Sequence, residues 1–66
     1  MAAIVVRIVY SQVDGTLARL HLIDPETRRP FELYAWTNVL EESLQTGSVI
    51  SFHQSGCMID RVEVVS

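Results

Sequence analysis

The stretch Phe31-Glu32-Leu33-Tyr34-Ala35-Trp36 decides how this chain is read. As a β-strand it sends Phe31, Leu33 and Ala35 to one face and Glu32, Tyr34 and Trp36 to the other. The first set is an ordinary buried face. The second carries two large rings where a half-buried strand normally exposes polar groups. Those rings are either covered by the rest of the protein or form a contact surface for a partner, and function turns on which of the two holds.

The runs on either side of this stretch also have strand character. Ile4 to Tyr10 is rich in β-branched residues and alternates Ile4, Val6, Ile8 and Tyr10 against Val5, Arg7 and Val9. Val13-Asp14-Gly15 supplies the positive φ of a tight turn. Leu17 to Ile23 places Ala18, Leu20 and Leu22 opposite Leu17, Arg19, His21 and Ile23. The segment Asp24 to Pro30, bounded by two prolines with polar residues between them, is a loop. Beyond Trp36 the period changes. Asn38 followed by Glu41 has the spacing of a helix cap, and Leu40 and Leu44 share one helical face. Glu41 and Glu42 suit the positive end of a helix dipole, and Gly47 stands where a C-terminal cap belongs. A helix of about two turns is therefore expected. Two further strands, Ser48 to Gln54 and Cys57 to Val65, flank a turn at Ser55-Gly56. Alternation falters in the last run, which calls for a bulge.

Composition narrows the class. A chain of 66 residues with 48% hydrophobic residues is one folded domain, 1–66, with a core too rich for a disordered tail. A domain this small buries only about 60% of its unfolded-chain surface. The lone Cys57 cannot form an internal disulfide. Arg7 interrupts the early apolar run, and nothing approaches the roughly 20 apolar residues of a membrane span. The expectation is a soluble cytoplasmic protein without membrane association. The formal charge is −3, from five basic and eight acidic residues, which argues against coating nucleic acid by bulk charge. Every basic residue is arginine, a side chain that stacks on bases and forks onto phosphate or carboxylate.

Catalytic and metal chemistry find little to work with. His21 and His53 have no cysteine or carboxylate at metal-ligand spacing, and one cysteine builds no zinc cluster. Ser55-Gly56-Cys57 lies in a hairpin, where a nucleophile elbow needs a strand-to-helix turn. The three glycines are isolated and form no phosphate loop. The chain is expected to be neither an enzyme nor a holder of metal or cofactor.

The order strand, strand, strand, helix, strand, strand resembles the OB-fold, a five-stranded Greek-key barrel with a helix between its third and fourth strands. Local wording is similar too. Gly15 followed by Leu17-Ala18-Arg19-Leu20-His21-Leu22-Ile23-Asp24 resembles the second strand of tRNA-anticodon-binding and single-strand-binding OB modules. Leu44-Gln45-Thr46-Gly47-Ser48-Val49-Ile50 looks like their step into strand four, and Arg61-Val62-Glu63-Val64-Val65 like their last strand. The expected fold is all-β, with an SH3-like barrel and a β-grasp domain as alternatives. The resemblance implies that single-stranded DNA or RNA binds on the outer face of strands two and three. By position that face holds Arg19 and His21, then Tyr34 and Trp36, with Arg28 and Arg29 in the joining loop. Aromatic faces stack on bases, and arginines track phosphates. The alternative expectation is a protein-interaction module, a homodimer or a small subunit of a larger assembly, using the same patch.

Overall fold

The computed structural model describes residues 1–13 and 15–66. Five strands, β1 (Ala2–Tyr10), β2 (Leu17–Ile23), β3 (Pro30–Trp36), β4 (Val49–Ser55) and β5 (Met58–Val64), close into one barrel in the order β1-β2-β3-β5-β4. Every neighbouring pair is antiparallel except β3 and β5, which run parallel through Tyr34–Met58 and Ala35–Ile59. β4 returns by a long connection to lie beside β1, so β4-β1-β2-β3 is a Greek key. The molecule is all-β and compatible with a small OB-like barrel. Closure is at odds with a β-grasp domain. Among the described residues no helix is long and apolar enough to cross a membrane.

The core follows from alternation. β2 buries Ala18, Leu20 and Leu22, and β3 buries Leu33 and Ala35, each set on one side of its strand. Ile50 and Phe52 from β4 and Ile59 and Val62 from β5 complete the interior. Phe31 reaches the Phe52 ring, with centroids 6.4 Å apart. Two strands depart from strict alternation. In β1, Val5 pairs with Leu22 and Arg7 with His21, so Val6 is an extra residue. The expected sharing of one face by Ile4, Val6 and Ile8 therefore gives way to an interior set of Ala3 and Val5 followed by half-buried Ile8. In β5, Ile59 pairs with Gln54 and Arg61 with His53, which makes Asp60 the bulge expected in the last strand. Such bulges bend short strands enough to close a small barrel.

The expected α-helix is a correction. Between β3 and β4 the only helical element is a single 3-10 turn, Thr37–Val39, entered from Trp36 rather than capped by Asn38. Leu40 returns to extended backbone at ψ 137. A two-turn helix gains few hydrogen bonds for its nucleation cost, and tertiary contacts compete for this segment. Val39, Leu40 and Leu44 pack separately onto the core. Gly47, at φ +93, donates its N–H to the Val5 carbonyl at 2.8 Å, and Val5 donates to Ser48 at 2.8 Å. The glycine has the left-handed backbone expected of it, but it ties the segment to β1 instead of capping a helix. The turn expected at Val13-Asp14-Gly15 rests on Asp14, which lies outside the described residues. The β4–β5 turn does form, with Gly56 at φ +63.

Leu20 is fully buried between strands on both sides. Leu20→Ala is expected to cost about 2–5 kcal/mol. That approaches the whole stability of a small domain. A urea unfolding curve checks it, and far-UV circular dichroism of the native protein should lack an α-helical signature.

Candidate functional site

Pairing across β1, β2 and β3 fixes a grid on the outside of the barrel. Arg7, His21 and Glu32 lie in one row. Val9, Arg19 and Tyr34 form the next. Ser11, whose N–H donates to the Leu17 carbonyl at 2.9 Å, lies with Leu17 and Trp36 in the third. The side chains between these rows, Leu20, Ala18, Leu33 and Ala35, are the buried ones. Tyr34 and Trp36 therefore stand outside the core. Tyr34 is half-buried and Trp36 is 50% exposed.

The aromatic end is framed by two connections. Thr37 donates its N–H to the Thr16 carbonyl at 2.7 Å, which holds the β1–β2 connection beside Trp36. Tyr34 donates to the Cys57 carbonyl at 2.8 Å, which holds the β4–β5 turn beside Tyr34. A depression of about 250 Å³ opens here, lined by Val9, Tyr10, Leu17, Arg19 and Tyr34 among others. Val9, Tyr10 and Leu17 were not among the residues singled out from sequence. Leu17 already shares the parity of Arg19 in the sequence, Tyr10 pairs with the buried Ala18 at the strand's end, and the outward facing of Val9 becomes readable only from the register that makes Val6 an extra residue.

Arg19, His21, Tyr34 and Trp36 thus come together on one face as expected. Arg28 and Arg29 do not join them. Their loop caps the opposite end of the β2–β3 hairpin, beyond the Ile23–Pro30 pair, about 20 Å from Trp36 at the usual rise per strand residue. The loop is built on Asp24, whose Oδ1 accepts from the N–H groups of Glu26 at 2.8 Å and Thr27 at 3.2 Å. Its closure places Arg28 at φ 62, an unusual backbone for a non-glycine residue.

The charges are unevenly placed. Residues 1–23 carry two arginines and one carboxylate, and the other seven carboxylates lie beyond them. On the outer face of β1–β3 the one carboxylate is Glu32, whose Oε1 lies 3.1 Å from His21 Nδ1. That contact engages one oxygen of Glu32. Among the described residues the ion pairs within 4 Å involve only histidines, so the arginines have no carboxylate partner there. The other pair, His53 Nδ1 with Asp60 Oδ1 at 2.7 Å, lies on β4 and β5 at the bulge, with both side chains more than half exposed. Exposed pairs of this kind contribute about 0–1 kcal/mol. Among the described residues no cluster of three His, Cys, Asp or Glu side chains has the geometry for a metal ion. What the grid offers chemically is stacking and hydrogen-bond donation to an anion.

The chain matches no protein-family model, no curated protein and no solved structure.

Placement outside the core has a direct consequence for stability. Trp36→Ala is expected to cost less than about 1 kcal/mol, whereas Phe52→Ala costs about 3–5 kcal/mol. Paired urea denaturation curves measure both. Equal losses for the two variants would place Trp36 in the core.

Proposed function

We propose that this protein binds short stretches of single-stranded nucleic acid on the outer face of β1–β3, as a binding protein and not as an enzyme. The observation that carries the reading is the adjacency of Tyr34 and Arg19, directly paired across β3 and β2, with Trp36 half-exposed beside them. A ring stacks on a base of any identity for about 1–3 kcal/mol. A neighbouring guanidinium supplies a forked donor to the adjoining phosphate and a cation–π contact. The architecture supports the reading further. OB-folds receive oligonucleotides on strands two and three, between the β1–β2 and β4–β5 connections, and those two connections frame Tyr34 and Trp36 here. With two rings and few cations the expected affinity is about micromolar, roughly 8 kcal/mol.

A second reading has its own observation. Tyr10 is 55% exposed and Val13 is 99% exposed, next to the same aromatic end. Exposed apolar residues beside Tyr and Trp suit a protein partner or a second copy of this chain.

Trp36 is the single tryptophan, so its emission reports on this face alone. Titration with oligo-dT and oligo-U at low salt should quench it. Tyr34→Ala should weaken binding about 10-fold, the equivalent of about 1.4 kcal/mol within the range for one stacked base. Glu32→Gln, which removes the face's carboxylate, should tighten binding a few-fold. Unchanged emission at tens of micromolar oligonucleotide would overturn the proposal. A blue shift that grows with protein concentration in the absence of ligand would select the second reading.

A further inference from the structure

The grid on β1–β3 has a directional pattern that the aromatic pair alone does not supply. Trp36 occupies one corner, on β3 in the third row. Arg19 occupies the centre, on β2 in the second row. Arg7 occupies the opposite corner, on β1 in the first row. The three lie on one diagonal, and Glu32 sits at a corner off it, engaged with His21. Diagonal neighbours on adjacent strands are about 7–8 Å apart, a spacing suited to successive phosphates of an extended strand.

The geometry points to a path for the ligand. A single strand of nucleic acid crosses the three-strand face along the diagonal Trp36–Arg19–Arg7, with bases on Trp36 and Tyr34 and successive phosphates on Arg19 and Arg7. The site is therefore two to three nucleotides long, and Arg7 is a binding residue of it. The inference rests on the nucleic-acid reading of this face and adds its length, its direction and its second cation.

Three features carry it. First, both Arg7 and Arg19 are exposed and neither pairs with a carboxylate among the described residues, so each has its donors free for phosphate. Second, the alternative path along the β2–β3 hairpin toward Arg28 and Arg29 passes over Glu32, where a phosphate meets a carboxylate. The diagonal avoids it. Third, the bulge at Val6 is what brings Arg7 to the outside. Strict alternation from the buried Ala3 and Val5 would turn residue 7 inward, and the extra residue reverses the parity so that Arg7 joins His21 and Glu32. Bulges often re-aim a side chain beside a functional site.

Salt dependence separates this path from the others. For single strands the slope of log K against log salt changes by about 0.7 per phosphate contact. The test is Trp36 emission titrated with oligo-dT at several salt concentrations. Arg7→Ala and Arg19→Ala should each lower the slope by about 0.7 and weaken binding several-fold at low salt. Arg7→Lys should keep most of the slope. The double variant Arg28→Ala/Arg29→Ala should leave the slope unchanged. Arg7 is exposed, so its variants should melt within a few degrees of the parent, which a thermal scan verifies. A parent-like slope for Arg7→Ala together with a lower slope for the loop double variant would overturn the diagonal path while leaving the nucleic-acid reading intact. An absence of quenching in the parent protein would overturn both.

Discussion

The pairing of Ala18 with Ala35 and of Leu20 with Leu33 holds the β2–β3 hairpin in the one register that lets the barrel close. These four side chains are buried on the inside of the hairpin. Because a strand alternates, their burial leaves Tyr34, Trp36, Arg19 and His21 no direction but outward. A slip of one residue would bring the two rings inside and turn Leu33 and Ala35 to water. In a chain of 66 residues the interior is too small to take both sets. The exposed aromatic face is thus the other side of the same constraint that makes the core.

Closure also sets the electrostatics of that face. The net charge of −3 describes the whole chain, not its surfaces. Folding gathers Arg7 and Arg19 with a single carboxylate on β1–β3, while Glu41 and Glu42 lie in the β3–β4 connection and Asp60 and Glu63 on β5. Exposed charges farther apart than a Debye length of about 8–10 Å are largely screened at physiological salt. An anionic ligand seated at Arg7 and Arg19 therefore meets those arginines more strongly than carboxylates beyond that distance, whereas Asp60, which follows the Ile59 paired with Ala35, lies beside Trp36.

Much of this was legible in the residues, and the losses have physical causes. The alternation of Phe31 to Trp36 and of Leu17 to Ile23 gives the inner and outer sets of β2 and β3 as the structure has them. The faltering pattern after Cys57 announces the Asp60 bulge. β1 hides its bulge because Val5, Val6, Ile8 and Val9 are all apolar, so Arg7 is the one polar residue near the slip, and strict alternation puts it on the face of the buried Val5 instead of beside Arg19. The Asn38–Glu41 spacing and the Leu40–Leu44 pair favour a helix locally. The core instead takes Val39, Leu40 and Leu44 individually, and β1 takes the backbone of Gly47 and Ser48. Arg28 and Arg29 precede the start of β3, and the aromatic pair lies at its far end. An extended strand separates its ends by its full length.

The most direct measurement of the central claim is an amide chemical-shift map of the isotopically labelled protein, recorded as a short oligo-dT is added. Shifts concentrated at Arg7, Val9, Leu17, Arg19, Tyr34 and Trp36, with the outer faces of β4 and β5 silent, are what the account predicts. Shifts centred on His53, Arg61 and Glu63, or none at all at saturating oligonucleotide, would contradict it.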